Sequence, residues 1–151
     1  MDIEYKAELL TEFKKKMTTD IDSVIESISS TKSSRDSATK SSAGDKHETS
    51  RAMMQIELDN SEVQLQKLKA LLSSLNNINP NRQSKTIGLG SWVETNEGNY
   101  FFTIGLGKYV FKGDTIFVIS PLSPIGLLFK DQKEGDVVVF QNRKIEIKKV
   151  V

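Results

Sequence analysis

"MQIELDNSEVQLQKLKALLSSL", residues 54–75, carries Met54, Leu58, Ser61, Leu65, Leu68, Leu72 and Leu75 spaced alternately four and three apart. That alternation is the seam of a coiled coil sustained for three heptads, because a helix returns such positions to one face. A seam of this kind needs a second helix. Upstream, Leu10, Phe13, Met17, Ile21, Val24 and Ile28 form another stripe of nearly the same period. Paired antiparallel, 28 faces 61, 24 faces 65, 21 faces 68 and 17 faces 72, every pair summing to 89, so the centre falls between Gly44 and Asp45. Apolar residues far from the turn set this register, yet it places the only Gly of residues 1–79 at the bend. Each arm of roughly 35 residues would rise about 1.5 Å per residue, making a two-helix rod on the order of 50 Å long that has no pocket.

Composition narrows the chemistry. The chain has 151 residues, no Cys and one His, which excludes disulfides, thiolate zinc sites and a Cys nucleophile, and leaves His47 as the only base for a serine triad. Lys plus Arg number 21 against 20 Asp plus Glu, so overall charge gives no reason to expect independent nucleic-acid binding. "MDIEYKAELL" lacks a basic stretch followed by an apolar run, and no segment approaches a membrane span, so a cytoplasmic protein is expected.

Residues 1–79 hold no Pro and a single Gly, whereas all three Pro and the other eight Gly follow. A helical half therefore precedes a β-rich half. "NNINPNRQSK" (76–85) reads as the junction. The expected division is a hairpin over 1–79, a linker over 80–86 and a second domain over 87–151. In that domain "GSWVET" (90–95), "NYFFTIGL" (99–106), "DTIFVIS" (114–120), "DVVVFQ" (136–141) and "RKIEIKKVV" (143–151) read as strands, with hairpin turns at "NEGN" and "QNRK". "SPIGLLFK" reads as one short helix with Ser123 as N-cap and Pro124 at N1. The fold class is α+β, an antiparallel helical hairpin followed by an antiparallel sheet with one short helix. Trp92 reads as a core or edge aromatic.

At the hairpin tip, "SSAGDKHETS" (41–50) places Asp45 and Glu48 three positions apart. Two readings compete. Asp45 as N-cap and Glu48 at N3 would form a capping box. Alternatively, acids at i and i+3 on a first helical turn lie about 5–6 Å apart and can approach one divalent cation together. Two carboxylates do not complete the roughly six-oxygen shell of Mg²⁺, so the remaining ligands would come from another molecule. A rod ending in such a pair suits delivery of carboxylates into a partner's active site, where two-metal phosphodiester chemistry is the natural reaction to assist. His47 reads as a solvated tip residue, and Lys14-Lys15-Lys16 as a solvated face. Lys32, Arg35, Lys40, Lys46 and Arg51 form a basic collar, and Lys40, Lys46 and Arg51 are the candidates for RNA contact.

"AGDKHETSRA" (43–52) resembles the coiled-coil tip of the Gre family of bacterial transcription elongation (transcript cleavage) factors, roughly G-D-L-x-E-N-A-E-Y, with Gly44, Asp45 and Glu48 on its Gly and two acids. Ser123, Pro124, Ile125, Gly126, Leu128, Lys130, Gly135, Asp136 and Val138 resemble the family's C-terminal signature, with Phe129 in place of a Gly and one residue added before Gly135. The resemblance spans nearly the whole chain. It implies an FKBP-like C-terminal domain that docks on RNA polymerase through Ser123, Pro124, Ile125 and Gly126. It also implies a hairpin that enters the polymerase's secondary channel, where Asp45 and Glu48 help hold a Mg²⁺ shared with the polymerase. The protein would be a monomer with no cofactor of its own and no enzymatic activity alone, stimulating the polymerase to cleave backtracked RNA and touching nascent RNA indirectly. Lys46, Thr49, Arg51 and Ala52 depart from the family's tip. A channel-occupying paralogue that modulates or inhibits without stimulating cleavage, and a coiled-coil adaptor or chaperone, stand as the alternatives.

Overall fold

A computed structural model of the chain describes residues 3–39 and 44–151, with the backbone alone described at 38, 39 and 44–47. Helix α1 spans Ile3–Thr39 and α2 Gly44–Asn76. Strands β1 (Trp92–Thr95), β2 (Gly98–Phe102), β3 (Gly107–Phe111) and β4 (Asp114–Ile119) precede the short helix α3 (Pro124–Phe129), and β5 (Val137–Phe140) and β6 (Arg143–Val150) close the chain. The fold is α+β, and it divides into two compact units, Met1–Phe13 with Ser74–Val151, and Lys14–Ser73.

Within Lys14–Ser73 the seam is occupied as its spacing requires. Met17, Ile21 and Leu58 are buried, and Val24, Ile28, Thr31, Arg35, Met54, Ser61, Leu65, Leu68 and Leu72 are half-buried between exposed neighbours. Arg35 Nη1 donates to Gln55 Oε1 at 3.0 Å, one position from the facing pair of the 89 register, so the helices run antiparallel. The bend differs from expectation. Backbone helix already begins at Gly44, which puts Asp45 inside the first turn of α2 instead of at its N-cap.

The unit built from Met1–Phe13 and Ser74–Val151 holds a six-stranded sheet in the order β3-β4-β2-β1-β6-β5. All pairs are antiparallel except β2 with β4, which corrects the expected all-antiparallel sheet to a mixed one. The cause is β3, which the sequence reading missed. It takes the outer edge of β4, so β4 enters beside β2 in the same direction. Only Tyr109 and Phe111 of "GKYVF" are even half-buried, and glycines on both sides conceal its period. Its turn to β4 is tight, with Lys112 (φ 50°) and Gly113 (φ 86°) both left-handed, and Gln141 (φ 49°) and Asn142 (φ 64°) do the same between β5 and β6.

Alternation gives the sheet two apolar faces. Val93, Tyr100, Phe102, Val138, Ile145 and Ile147 join Ile87 and Phe129 of α3 in one cluster. Trp92, Phe101, Ile116 and Val118, all 0 % exposed, lie among the intervening residues. The first turns of α1 cover that second side: Phe13 stands 6.0 Å from Phe101 and 5.1 Å from Tyr109, and Tyr5 5.8 Å from Trp92, between ring centroids. This redraws the expected division at residues 79 and 80. Leu9, Leu10 and Phe13 continue the seam's stripe but belong with the sheet, because aromatic area there has no other cover. Lys6 is buried among them, its Nζ donating to the Val151 carbonyl at 3.1 Å, and burial pushes its pKa down.

Two outcomes follow for stability. Phe13→Ala should cost about 3–5 kcal/mol in chemical denaturation, the loss typical of a fully buried Phe. The Tyr5 phenol is pushed up to about 12, first by burial and then by Asp114, whose Oδ2 accepts its hydrogen bond at 3.2 Å. The folded chain therefore keeps a proton that the unfolded chain loses from pH 10.0 upward, so this contribution is whole below pH 10 and is lost as the pH rises to about 12. Thermal melts of Tyr5→Phe should show a shallower alkaline decline than the wild type.

Candidate functional site

The hairpin end is built from the start of α2. Asp45 and Glu48 lie three apart within one continuous helix, which places them on one face of its first turns. Glu48 is exposed to solvent. The Asp45, Lys46 and His47 side chains, and Lys40 altogether, lie outside the described residues. Arg51 is exposed one turn after Glu48, whereas Arg35 bonds Asp36 and Gln55 and so ties the two helices. Among the described residues, no three His, Asp or Glu side chains converge as a metal site.

The segment Ser123–Gly126 is held together internally. Ser123 Oγ accepts from Gly126 N at 3.1 Å and donates to the Ser120 carbonyl at 2.7 Å, which confirms the N-cap. A Cβ at Gly126 would stand 2.2 Å from the Ser120 carbonyl oxygen, so only Gly permits this approach. Ile125 packs at the edge of the core, while Phe129, standing where the family signature has Gly, is 0 % exposed against Tyr100 and Phe102. Farther on, Lys133 N donates to Asp136 Oδ2 at 2.9 Å, and Gly135 takes φ 92°, so these signature residues build a turn. Beside these residues Leu122, Leu127 and Leu128 are 82, 56 and 44 % exposed. Sequence reasoning did not single out Leu122 and Leu127. A six-residue helix that turns Ile125 and Phe129 inward at i and i+4 must turn Leu127 and Leu128 outward, and that signal was available.

The sheet unit also holds a polar cavity of about 350 Å³ lined by Asn77, Ile78, Arg82, Thr86, Gly90 and Asp131. No helix among the described residues is long and apolar enough to cross a membrane.

No family model matches the sequence, and no curated protein is similar to it at a significant level. Two solved structures are similar over most of their length. One, described as the structure of the transcription factor Gfh1, is 16 % identical with a TM-score of 0.38 over 91 % of this chain and 92 % of its own. The other, the crystal structure of Thermus aquaticus Gfh1, is 17 % identical with a TM-score of 0.33 over 85 % of this chain and 92 % of its own. At these values neither likeness bears on what this chain does.

Gly126→Ala should destabilise the sheet unit by about 1–3 kcal/mol, since carbonyl backbone cannot yield as a flexible side chain would. Ser123→Ala should cost about 1 kcal/mol through the lost cap. Urea denaturation of the full chain checks both.

Proposed function

We propose that this chain is a Gre-like factor that binds RNA polymerase and presents Asp45 and Glu48 from its hairpin to the polymerase active centre, stimulating cleavage of backtracked RNA. The observation that carries this reading is an antiparallel hairpin with a filled seam whose second helix opens on two acids one turn apart. In this reading the acids act inside a site that the partner supplies, because two carboxylates fill only part of the roughly six-oxygen shell of Mg²⁺. The sequence resemblance of the tip and of the segment 123–138 names the partner. In this scheme the two carboxylates contribute ligands to the polymerase's second Mg²⁺ and orient a water for in-line attack, and the protein cleaves nothing alone. Docking falls to the sheet unit, with Leu122, Leu127 and Leu128 as the apolar contact.

A second reading has its own support. Lys46 and Thr49 replace the family's apolar and amide neighbours of the acids, and Arg51 and Ala52 its later acidic and aromatic residues, which suits a paralogue that enters the channel without stimulating cleavage.

The test is transcript cleavage on stalled elongation complexes of the cognate polymerase. Asp45→Asn and Glu48→Gln should each lower stimulation by about 10- to 100-fold while helicity and polymerase binding stay unchanged, because the amides keep size and lose the anionic ligand. Leu127→Asp in the full chain should weaken binding instead. The full chain is required, since a fragment 86–151 would lack the turns of α1 that cover Trp92 and Phe101. A wild type that never stimulates cleavage yet competes with a known channel-binding factor establishes the paralogue, and indifference of every readout to the acids establishes an adaptor.

A further inference from the structure

Helix α2 is apolar on two sides. Opposite its seam, Ala52, Ile56 and Val63 share one side, with Met53 and Leu71 on its flank, and Met53, Ile56, Val63 and Leu71 are 66, 60, 57 and 36 % exposed. The corresponding side of α1 carries Thr19, Asp22, Glu26, Ser30 and Ser33, all polar and exposed, with Ile25, 47 % exposed, on its flank. A two-helix hairpin needs one apolar stripe from each helix, so the second stripe on α2 has no use within its own hairpin.

The charges on that side select what covers it. Asp59 and Lys67 stand four residues before and four residues after Val63, and both are exposed. Two copies of α2 laid antiparallel with Val63 on the two-fold axis bring each Asp59 opposite the other copy's Lys67, and each Ile56 opposite Ala70. A parallel pair would set Asp59 against Asp59 and Lys67 against Lys67. A uniformly basic helix from another protein would satisfy Asp59 but meet Lys67. Gln55 Nε2 donates to Asp59 Oδ1 at 3.1 Å, which leaves the other carboxylate oxygen for a cation. We propose that the outer face of α2 is a self-association surface, on which a second copy of this chain docks antiparallel about Val63. The contact is isologous and closes after two copies, so it forms a dimer and not a fibre. It uses neither tip acid nor α3, and it stands independently of the polymerase reading.

The chain has no Cys, which makes cross-linking unambiguous. Sedimentation velocity of the full-length protein from micromolar to millimolar concentration should show a monomer–dimer equilibrium. Val63→Arg should abolish the dimer with helicity unchanged. Lys67→Glu should weaken it about tenfold by replacing two ion pairs with two repulsions. Adding Asp59→Lys to that variant should restore it, since the pair is then present with its signs exchanged. Under mild oxidation Val63→Cys should give a covalent dimer, and Ser30→Cys on the polar side of α1 should not. A wild type that stays monomeric throughout the range overturns the proposal and leaves a heterologous helix as the occupant. A dimer that survives Val63→Arg, or a double variant no better than Lys67→Glu, overturns the antiparallel register about Val63.

Discussion

A sheet with aromatic residues on both faces must be covered twice, and the chain that follows β1 supplies only α3. Trp92 and Phe101 are paired across β1 and β2 on the face α3 does not reach, and both are wholly buried. Their cover comes from Tyr5, Leu9 and Phe13, almost ninety residues earlier in sequence. Helix α1 therefore gives its first three turns to the sheet before its stripe turns to pairing with α2. Burial at roughly 25 cal/mol per Å² makes this large, because each aromatic ring hides 150–250 Å². It also accounts for the buried Lys6. A helix committed to this position brings its ammonium to the Val151 carbonyl, which already accepts from Trp92 N, and the charge is tolerated for the sake of the rings around it.

The same economy shapes the places where function is sought. The seam from Met17 to Leu72 holds the buried and half-buried residues that its spacing requires. Glu48 near its end, and Met53, Ile56 and Val63 along α2, are exposed. In the short α3 segment Ser123 and Gly126 hold a turn, and Leu122, Leu127 and Leu128 beside them are exposed.

Much of this was legible in the sequence. The heptad spacing gave the antiparallel register to within one residue of the Arg35–Gln55 contact, because side chains at a seam recur with the helix period whatever else the chain does. Five strands, two of the three hairpin turns and the Ser123 cap were legible for the same reason, since period, turn chemistry and capping are local. The helix that carries positions 45 and 48 was legible, and the backbone places both in the first turns of α2.

The rest depended on which surfaces meet. Whether the stripe at Leu10 and Phe13 faces another helix or a sheet is invisible in its spacing, since both partners demand the same periodicity; only the uncovered ring of Phe101 decides it. Strand direction was equally hidden. Alternation in "NYFF" and "DTIFVI" is the same whether the strands run parallel or antiparallel, and the parallel pairing arises because β3 takes the outer edge of β4. The sequence by itself determined the local elements and the hairpin register. The tertiary structure alone decided which apolar stripe covers which, because burial is non-directional and is settled only when all the faces compete at once.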